Sequence, residues 1–343
     1  MQRNHIFYPT LSQNTSELTA ISLPELYDTA YTPSLTLVKD FLYSGVYLFV
    51  GPPKIGKSFF MAQLAYHVAT GSHLWNYEVR QSDVLYLSLE DDLARLQKRF
   101  ARMFGVESNA NLYLSTNANS LSKGLEVQLE NFLQTHPDTK LIIIDTLQKI
   151  RELTGNSYNY SQDYHIMSRL QILAKQHNIC LIVVHHTRKM EAEDSFEMIS
   201  GTNGLFGAAD GAMVLHKHHR TDRHAKLSIT GRDQQSQLLT LEFMPATCTW
   251  NFINAQKDLW QEPKDPLLEE VAALVSNEKQ NWQGTATQML AELNINDIKP
   301  NSFTRRLNVK AGKLLNDYGI AYTNQRTHNG RFISLQKLPP KCA

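Results

Sequence analysis

Three features of the 343-residue sequence predict an α/β fold around a mostly parallel central sheet. Short β-branched apolar runs alternate with amphipathic helical stretches. The runs are continuously apolar, as strands covered on both faces must be. A glycine-bearing loop joins the first run to the first helix. In order, Val46–Val50 reads as a strand and Phe59–Thr70 as a helix turning Phe60, Leu64 and Val68 inward. Val84–Leu89 is a second strand, followed by the charged helix Asp92–Phe104. A helix over Leu125–Leu133 leads to the strand Leu141–Ile144, and a helix near Tyr164–Gln176 leads to Cys180–Val184. Beyond Gly211 the rhythm becomes that of hairpins. Ala212–Leu215, Ala225–Thr230, Leu238–Phe243 and Thr249–Ile253 are predicted as antiparallel edge strands.

Three parts are expected. Residues 1–33 read as an irregular N-terminal arm broken by Pro24 and Pro33, and residues 34–260 as the α/β domain. In Gln261–Pro266 two prolines within four residues prevent a helix from crossing, which marks a linker. Residues 266–338 then predict three helices, near Leu267–Ser276, Thr285–Leu293 and Ser302–Gly312, and a two-stranded wing at Tyr322–Asn324 and Phe332–Leu335. That pattern resembles a winged helix-turn-helix.

Thirty-four Lys and Arg against 33 Asp and Glu leave the whole chain near neutral. The distribution is less even: from Lys299 onward nine basic residues face one acid, Asp317, so this end carries +8 and the rest −7. A basic end on an acidic body suggests an acidic partner such as nucleic acid, with a merely solvated face as the competing reading. A hydrophobic fraction of 42% excludes wholesale disorder. Cys180, Cys248 and Cys342 form no C-x-x-C pair, which fits a reducing compartment and no zinc site. No run approaches the ~20 apolar residues of a spanning helix, so no membrane partner and a cytoplasmic location are expected.

The chemistry is concentrated at Gly51-Pro52-Pro53-Lys54-Ile55-Gly56-Lys57-Ser58, which matches G-x-x-x-x-G-K-[ST] between a strand and a helix. Glycines let such a loop wrap a phosphate so that backbone N–H groups and the helix N-terminus face the anion. These residues, with Phe59 next to them, are the expected ATP-binding segment. Lys57 is expected at the β- and γ-phosphates and the Ser58 hydroxyl on magnesium. Asp145 closes the apolar strand Leu141–Ile144, as a second magnesium-binding group would; capping the next helix is the competing reading.

With these motifs the chain resembles RecA-type hexameric ATPases, and within them the RepA-like helicases of plasmids, phages and mobile elements. The resemblance rests on Tyr47–Lys54, on Leu85-Tyr86-Leu87-Ser88-Leu89-Glu90-Asp91-Asp92 and on the following Arg95–Arg99, and spans about residues 20–255. It implies a RecA-like core, ATP and Mg as cofactors, and assembly into a homo-hexameric ring. Glu90 matches the acid that polarises the attacking water, with Asp91 and Asp92 as neighbouring substitutes. His186, in His185-His186, matches the residue sensing the γ-phosphate. Arg232, in Thr230-Gly231-Arg232-Asp233, matches an arginine presented to a neighbouring subunit's phosphate; a salt bridge with Asp233 is the alternative. The four histidines 216, 218, 219 and 224 lack a companion carboxylate or cysteine and do not read as a metal site.

The resemblance also places single-stranded DNA in a ring channel lined by Glu152–Asp163, with Tyr158, Tyr160 and Tyr164, and by Lys189–Asn203. Arg305, Arg306, Lys310 and Lys313, on one expected helix, with Arg326 and Arg331 at the wing, would contact DNA phosphates, although a winged helix can equally bind protein. The expected function is an ATP-dependent helicase or translocase. A recombinase or helicase loader, and an ATP-switched DNA-binding regulator, are the alternatives.

Overall fold

Successive side chains of Thr139–Asp145 leave opposite faces of a sheet, and both faces are covered. Leu141 and Ile143 pack with Phe60, Leu64 and Tyr86, whereas Ile142 and Ile144 pack with Leu125, Leu129, Met167 and Leu170. An alternating polar residue on this strand would lose hydration on either face without gaining a partner. Each fully buried Leu, Ile or Phe of these layers contributes about 1.5–3 kcal/mol of transfer free energy.

The computed structural model describes residues 20–31, 34–107, 111–151, 160–186, 203–217, 219, 222–232, 234–257, 265–276, 279–327 and 330–338. The chain divides into two units, Leu35–Trp260 and a second made of Met1–Ser34 with Gln261–Ala343. The larger unit begins with β1 (Thr36–Val38), β2 (Leu42–Tyr43), β3 (Gly45–Gly51), α2 (Lys57–Thr70) and β4 (Asp83–Ser88), preceded in the chain by α1 (Leu23–Asp28) of the smaller unit. It continues with α3 (Leu93–Phe104), β5 (Leu112–Ser115), α4 (Leu125–Thr135), β6 (Thr139–Asp145), α5 (Leu147–Ile150), α6 (Tyr160–His177), β7 (Cys180–His186) and α7 (Asn203–Ala208). Four strands complete it: β8 (Gly211–His216), β9 (His224–Gly231), β10 (Gln234–Met244) and β11 (Thr249–Lys257).

Nine strands form one sheet in the order β11-β10-β9-β8-β3-β7-β6-β4-β5. The six from β8 to β5 run parallel; β9, β10 and β11 add antiparallel neighbours. Of the four strands expected to be antiparallel, β8 is so toward β9 but also pairs in parallel with β3 along Tyr47–Val50. Its residues are buried on both faces like those of β3, a burial that local hairpin spacing does not reveal. β5, whose residues are all half-buried at the sheet edge, carries too weak an apolar signal to be read from sequence.

The smaller unit holds α1, α8 (Pro266–Ala273), β12 (Asn281–Thr285), α9 (Ala286–Glu292), α10 (Pro300–Val309), α11 (Ala311–Tyr318), β13 (Ile320–Thr327) and β14 (Gly330–Lys337). Its core gathers Leu268, Trp282, Phe303, Leu307, Leu314, Ile333 and Leu335. The expected helix Ser302–Gly312 is two helices, broken where Lys310 leaves helical geometry. The strand pair gains a third member, since β12 pairs with β14. The arm contains a helix, and Pro24 opens it at a position where no N–H is needed, under a Ser22–Glu25 capping box. Among the described residues no helix is long and apolar enough to cross a membrane.

Candidate nucleotide site

The parallel strands bring their carboxyl ends to one edge. Gly51 of β3 lies opposite His186 of β7, and Ser88 of β4 lies opposite Asp145 of β6. The loop after β3 turns into α2 through Lys54 (φ 64°) and Gly56 (φ 107°). Gly56 is a position only glycine adopts without strain. Its absent side chain also leaves room for Trp250, since a Cβ there would stand 3.0 Å from the indole. A Cβ on Gly51 would come within 2.6 Å of the Leu215 carbonyl. The loop is therefore cut close by β8 on one side and β11 on the other. Pro53 and Lys54 are exposed, while Ile55 and Phe59 pack against the core.

Lys57 folds back over the loop. Its ammonium donates to the carbonyls of Gly51 (2.8 Å) and Pro52 (3.0 Å) and to His186 Nδ1 (3.0 Å). Burial lowers its pKa to about 8, against the opposing pull of Asp145 and Glu90. His186 is likewise held below the usual histidine range, first by desolvation and then by Lys57. A neutral imidazole accepting at Nδ1 carries its proton on Nε2. Asp145 is 4% exposed. Burial pushes its carboxyl up, while hydrogen bonds from Ser58 and Tyr86 (3.1 Å to Oδ2) act the other way. A buried carboxylate beside a hydroxyl, over a glycine-lined cradle, suits a hard divalent cation shared with phosphate oxygens. The residues thus fit a magnesium–nucleotide pair, with Ser58 and Asp145 as the metal-side groups.

The three consecutive acids separate by contact. Asp91 is engaged by Arg99 (2.7 Å), Arg95 (3.2 Å) and Ser88 (3.1 Å). Asp92 caps α3 by accepting from the Arg95 amide (2.7 Å). Glu90 is exposed at the strand edge and accepts from Thr146 Oγ1 (3.2 Å). Arg232 stands elsewhere. Its backbone N–H donates to the Asp210 carbonyl, and its side chain, 56% exposed, reaches Asp210 (3.6 Å) and the Gly207 carbonyl (3.2 Å). Asp210 in turn accepts from the Val46 amide at the amino end of β3, so Arg232 lies at the sheet edge opposite Lys57. Among the described residues its partner is Asp210; the adjacent Asp233, the alternative expected from the sequence, lies outside them.

Trp250 and Gln63 escaped the sequence reading. The Trp250 indole N–H donates to the Gly56 carbonyl (3.2 Å), and its backbone exchanges two hydrogen bonds with the Gln63 amide (2.7 and 2.9 Å). The two residues are 187 positions apart, and no local pattern announces the pair. Both expected DNA-facing loops fall largely outside the described residues; Tyr164, which is described, is exposed on α6.

A loop of this form at the switch between strand and helix, on a sheet of this order, defines a P-loop protein with a RecA-type core. The chain belongs to the AAA domain family, which it matches over residues 13–192. It resembles a separately solved ATPase domain, with a TM-score of 0.52 and 15% identity over 62% of this chain and 85% of that one. It also resembles a DnaB-like replicative helicase solved for its interactions with primase, with a TM-score of 0.51 and 15% identity over 61% of this chain and 59% of the other. The DNA repair protein RadA of Streptococcus pneumoniae is 29% identical over 141 residues, covering 40% of this chain and 29% of its own length. RadA of Streptococcus pyogenes serotype M6 is equally similar over 27% of its length. The chain thus spans less than a third of these relatives.

Proposed function

We propose that the protein is a Mg-dependent ATPase that assembles as a homo-hexameric ring and moves along single-stranded DNA, as a RepA-like replicative helicase of a mobile genetic element. The observation that carries this reading is the convergence of Lys57, Ser58, Glu90, Asp145 and His186 at one edge of a RecA-type sheet. Magnesium bound with the nucleotide would supply charge neutralisation at the β- and γ-phosphates. Lys57 would exchange the loop carbonyls and His186 for phosphate oxygens. Glu90, the one acid of its trio not committed to an arginine or a helix cap, would accept the proton of the attacking water. His186, whose Nδ1 meets the Lys57 ammonium, would hydrogen-bond the γ-phosphate and register its loss. Arg232 cannot serve its own site from the opposite edge, so its role would be in a neighbour's. The basic C-terminal unit would hold DNA through phosphate contacts.

The similarity to RadA favours a second reading, a recombination or repair ATPase of the same chemistry. Strand displacement separates the two. An ATP-dependent helicase opens a forked duplex carrying a single-stranded tail, and the second reading is correct if ATP turnover rises with single-stranded DNA while the fork stays closed. Electron microscopy with an ATP analogue and single-stranded DNA shows ring or filament directly.

A further inference from the structure

In the smaller unit, donors converge on the C-terminal end of α1. Arg305 Nε donates to Asp28 Oδ1 (2.8 Å), and Arg331 Nη2 lies 2.5 Å from Asp28 Oδ2. Arg331 Nη1 reaches the Asp28 carbonyl (3.5 Å), and Asn308 Nδ2 donates to the Tyr27 carbonyl (2.8 Å). Asn308 is not free to present its oxygen instead. That oxygen accepts from the Tyr322 hydroxyl (2.7 Å) and from Asn324 Nδ2 (3.0 Å), which fixes the amide with its NH2 outward. Arg305, Asn308 and Arg331, from α10 and β14, therefore form a cluster that presents donors only. Such a cluster selects a ligand that only accepts, and paired guanidiniums suit a carboxylate or a phosphodiester. Asp28 is the carboxylate that fills it, its pKa held below the usual range chiefly by Arg305.

The occupant is weakly founded. α1 spans six residues and none of them is buried; Leu23 is 59% and Leu26 41% exposed. So short a helix has little stability of its own. Its hold comes from the polar contacts at its end together with Ala30, which packs on the core nearby. These ion pairs are half-buried and keep contact with water, so each contributes little, and the polyanionic backbone of DNA can compete through its many phosphates.

Resting on the reading that the basic C-terminal unit binds DNA, we propose that Arg305, Asn308 and Arg331 form a phosphodiester-binding site and that Asp28 at the end of α1 is its built-in competitor. DNA binding and arm release are then one exchange. Arg306, exposed on α10 outside this cluster, is free to make phosphate contact with the arm in place.

The test uses the full chain and a short fluorescein-labelled duplex of mixed sequence at low salt. Asp28→Asn keeps the shape of the side chain and removes its charge, so affinity should rise about fivefold over wild type. Adding Arg331→Gln to that variant should cancel the gain. Independently of any substitution, hydrogen exchange at residues 23–31 of the wild-type protein should accelerate when the duplex is added. If wild type binds the duplex while Asp28→Asn binds no better and α1 stays protected, the arm is a fixed part of the fold and the exchange is wrong, although the DNA reading survives. If neither protein binds the duplex and Arg306→Ala changes nothing, the DNA reading fails and carries this proposal with it.

Discussion

Lys57 sits in a conflict between two environments. In the free protein its ammonium is buried, and its pKa of about 8 lies below the ordinary lysine value because desolvation outweighs Asp145 and Glu90. Polyphosphate at the loop adds negative charge and favours the ammonium, so binding should draw in a proton wherever free Lys57 is already neutral. The sign follows: affinity is flat below the free-state pKa and falls above it, by about tenfold per pH unit from roughly pH 8 upward. Titration calorimetry at about pH 9 in two buffers of different ionisation enthalpy should report proton uptake. No uptake there would show that the ammonium is already fully present without nucleotide. Lys57→Ala should lower turnover by about 10²-fold or more, since the phosphate charge then lacks its fixed counter-charge. Glu90→Gln tests another step. It should hydrolyse ATP about 10²-fold more slowly yet bind it with nearly wild-type affinity, because in the proposed role the acid would act on water and not on the nucleotide. Equal turnover by Glu90→Gln and wild type would move the base to another group.

At the scale of the element, the loop is a strand–turn–helix whose walls come from distant strands. Trp250 of β11 supports it through one hydrogen bond to the Gly56 carbonyl. Trp250→Phe keeps most of the ring volume and removes the N–H. A lost hydrogen bond is worth about 1 kcal/mol, which should appear as roughly fivefold weaker nucleotide binding with only a small change in melting temperature. Unchanged affinity would mean that Gly56 holds its conformation without the indole. This support also marks where sequence legibility ends. The P-loop, the acid-tipped strands and the parallel core were readable because each is a local signal: a fixed glycine spacing, or an unbroken apolar run. The parallel pairing of β8, the extra strand β12, the break in the helix at Lys310 and the Trp250–Gln63 link were not, because each is decided by a partner far away in sequence. Likewise the nine basic residues of the C-terminal end were countable, whereas the commitment of Arg305 and Arg331 to Asp28, and of Lys310 to Asp265, was not.

At the scale of the whole molecule, the question is whether one chain contains a complete catalytic site. Lys57 and Arg232 occupy opposite edges of a single rigid sheet, with Arg232 tied to the Asp210 that accepts from the start of β3. No side-chain rotation carries its guanidinium to its own loop, so any action on a phosphate must be in trans. Arg232→Ala should then bind ATP nearly as well as wild type but hydrolyse it about 10³-fold more slowly, since such an arginine offsets charge that develops only in the transition state. Lys57→Ala disables the loop but leaves its own Arg232 in place. Mixing the two inactive proteins forms some interfaces with an intact loop from one chain and an intact arginine from the other. Those interfaces should recover turnover in proportion to their frequency, passing through a maximum at comparable amounts of the two chains. A monomeric enzyme cannot be rescued in this way. The measurement is a titration of one variant into the other under single-stranded DNA and ATP, with mixed assembly checked by differential tagging. If mixed assemblies form and turnover stays at the level of the separate variants, Arg232 acts no further than its pairing with Asp210, and the arginine that completes the site lies on another segment of the chain.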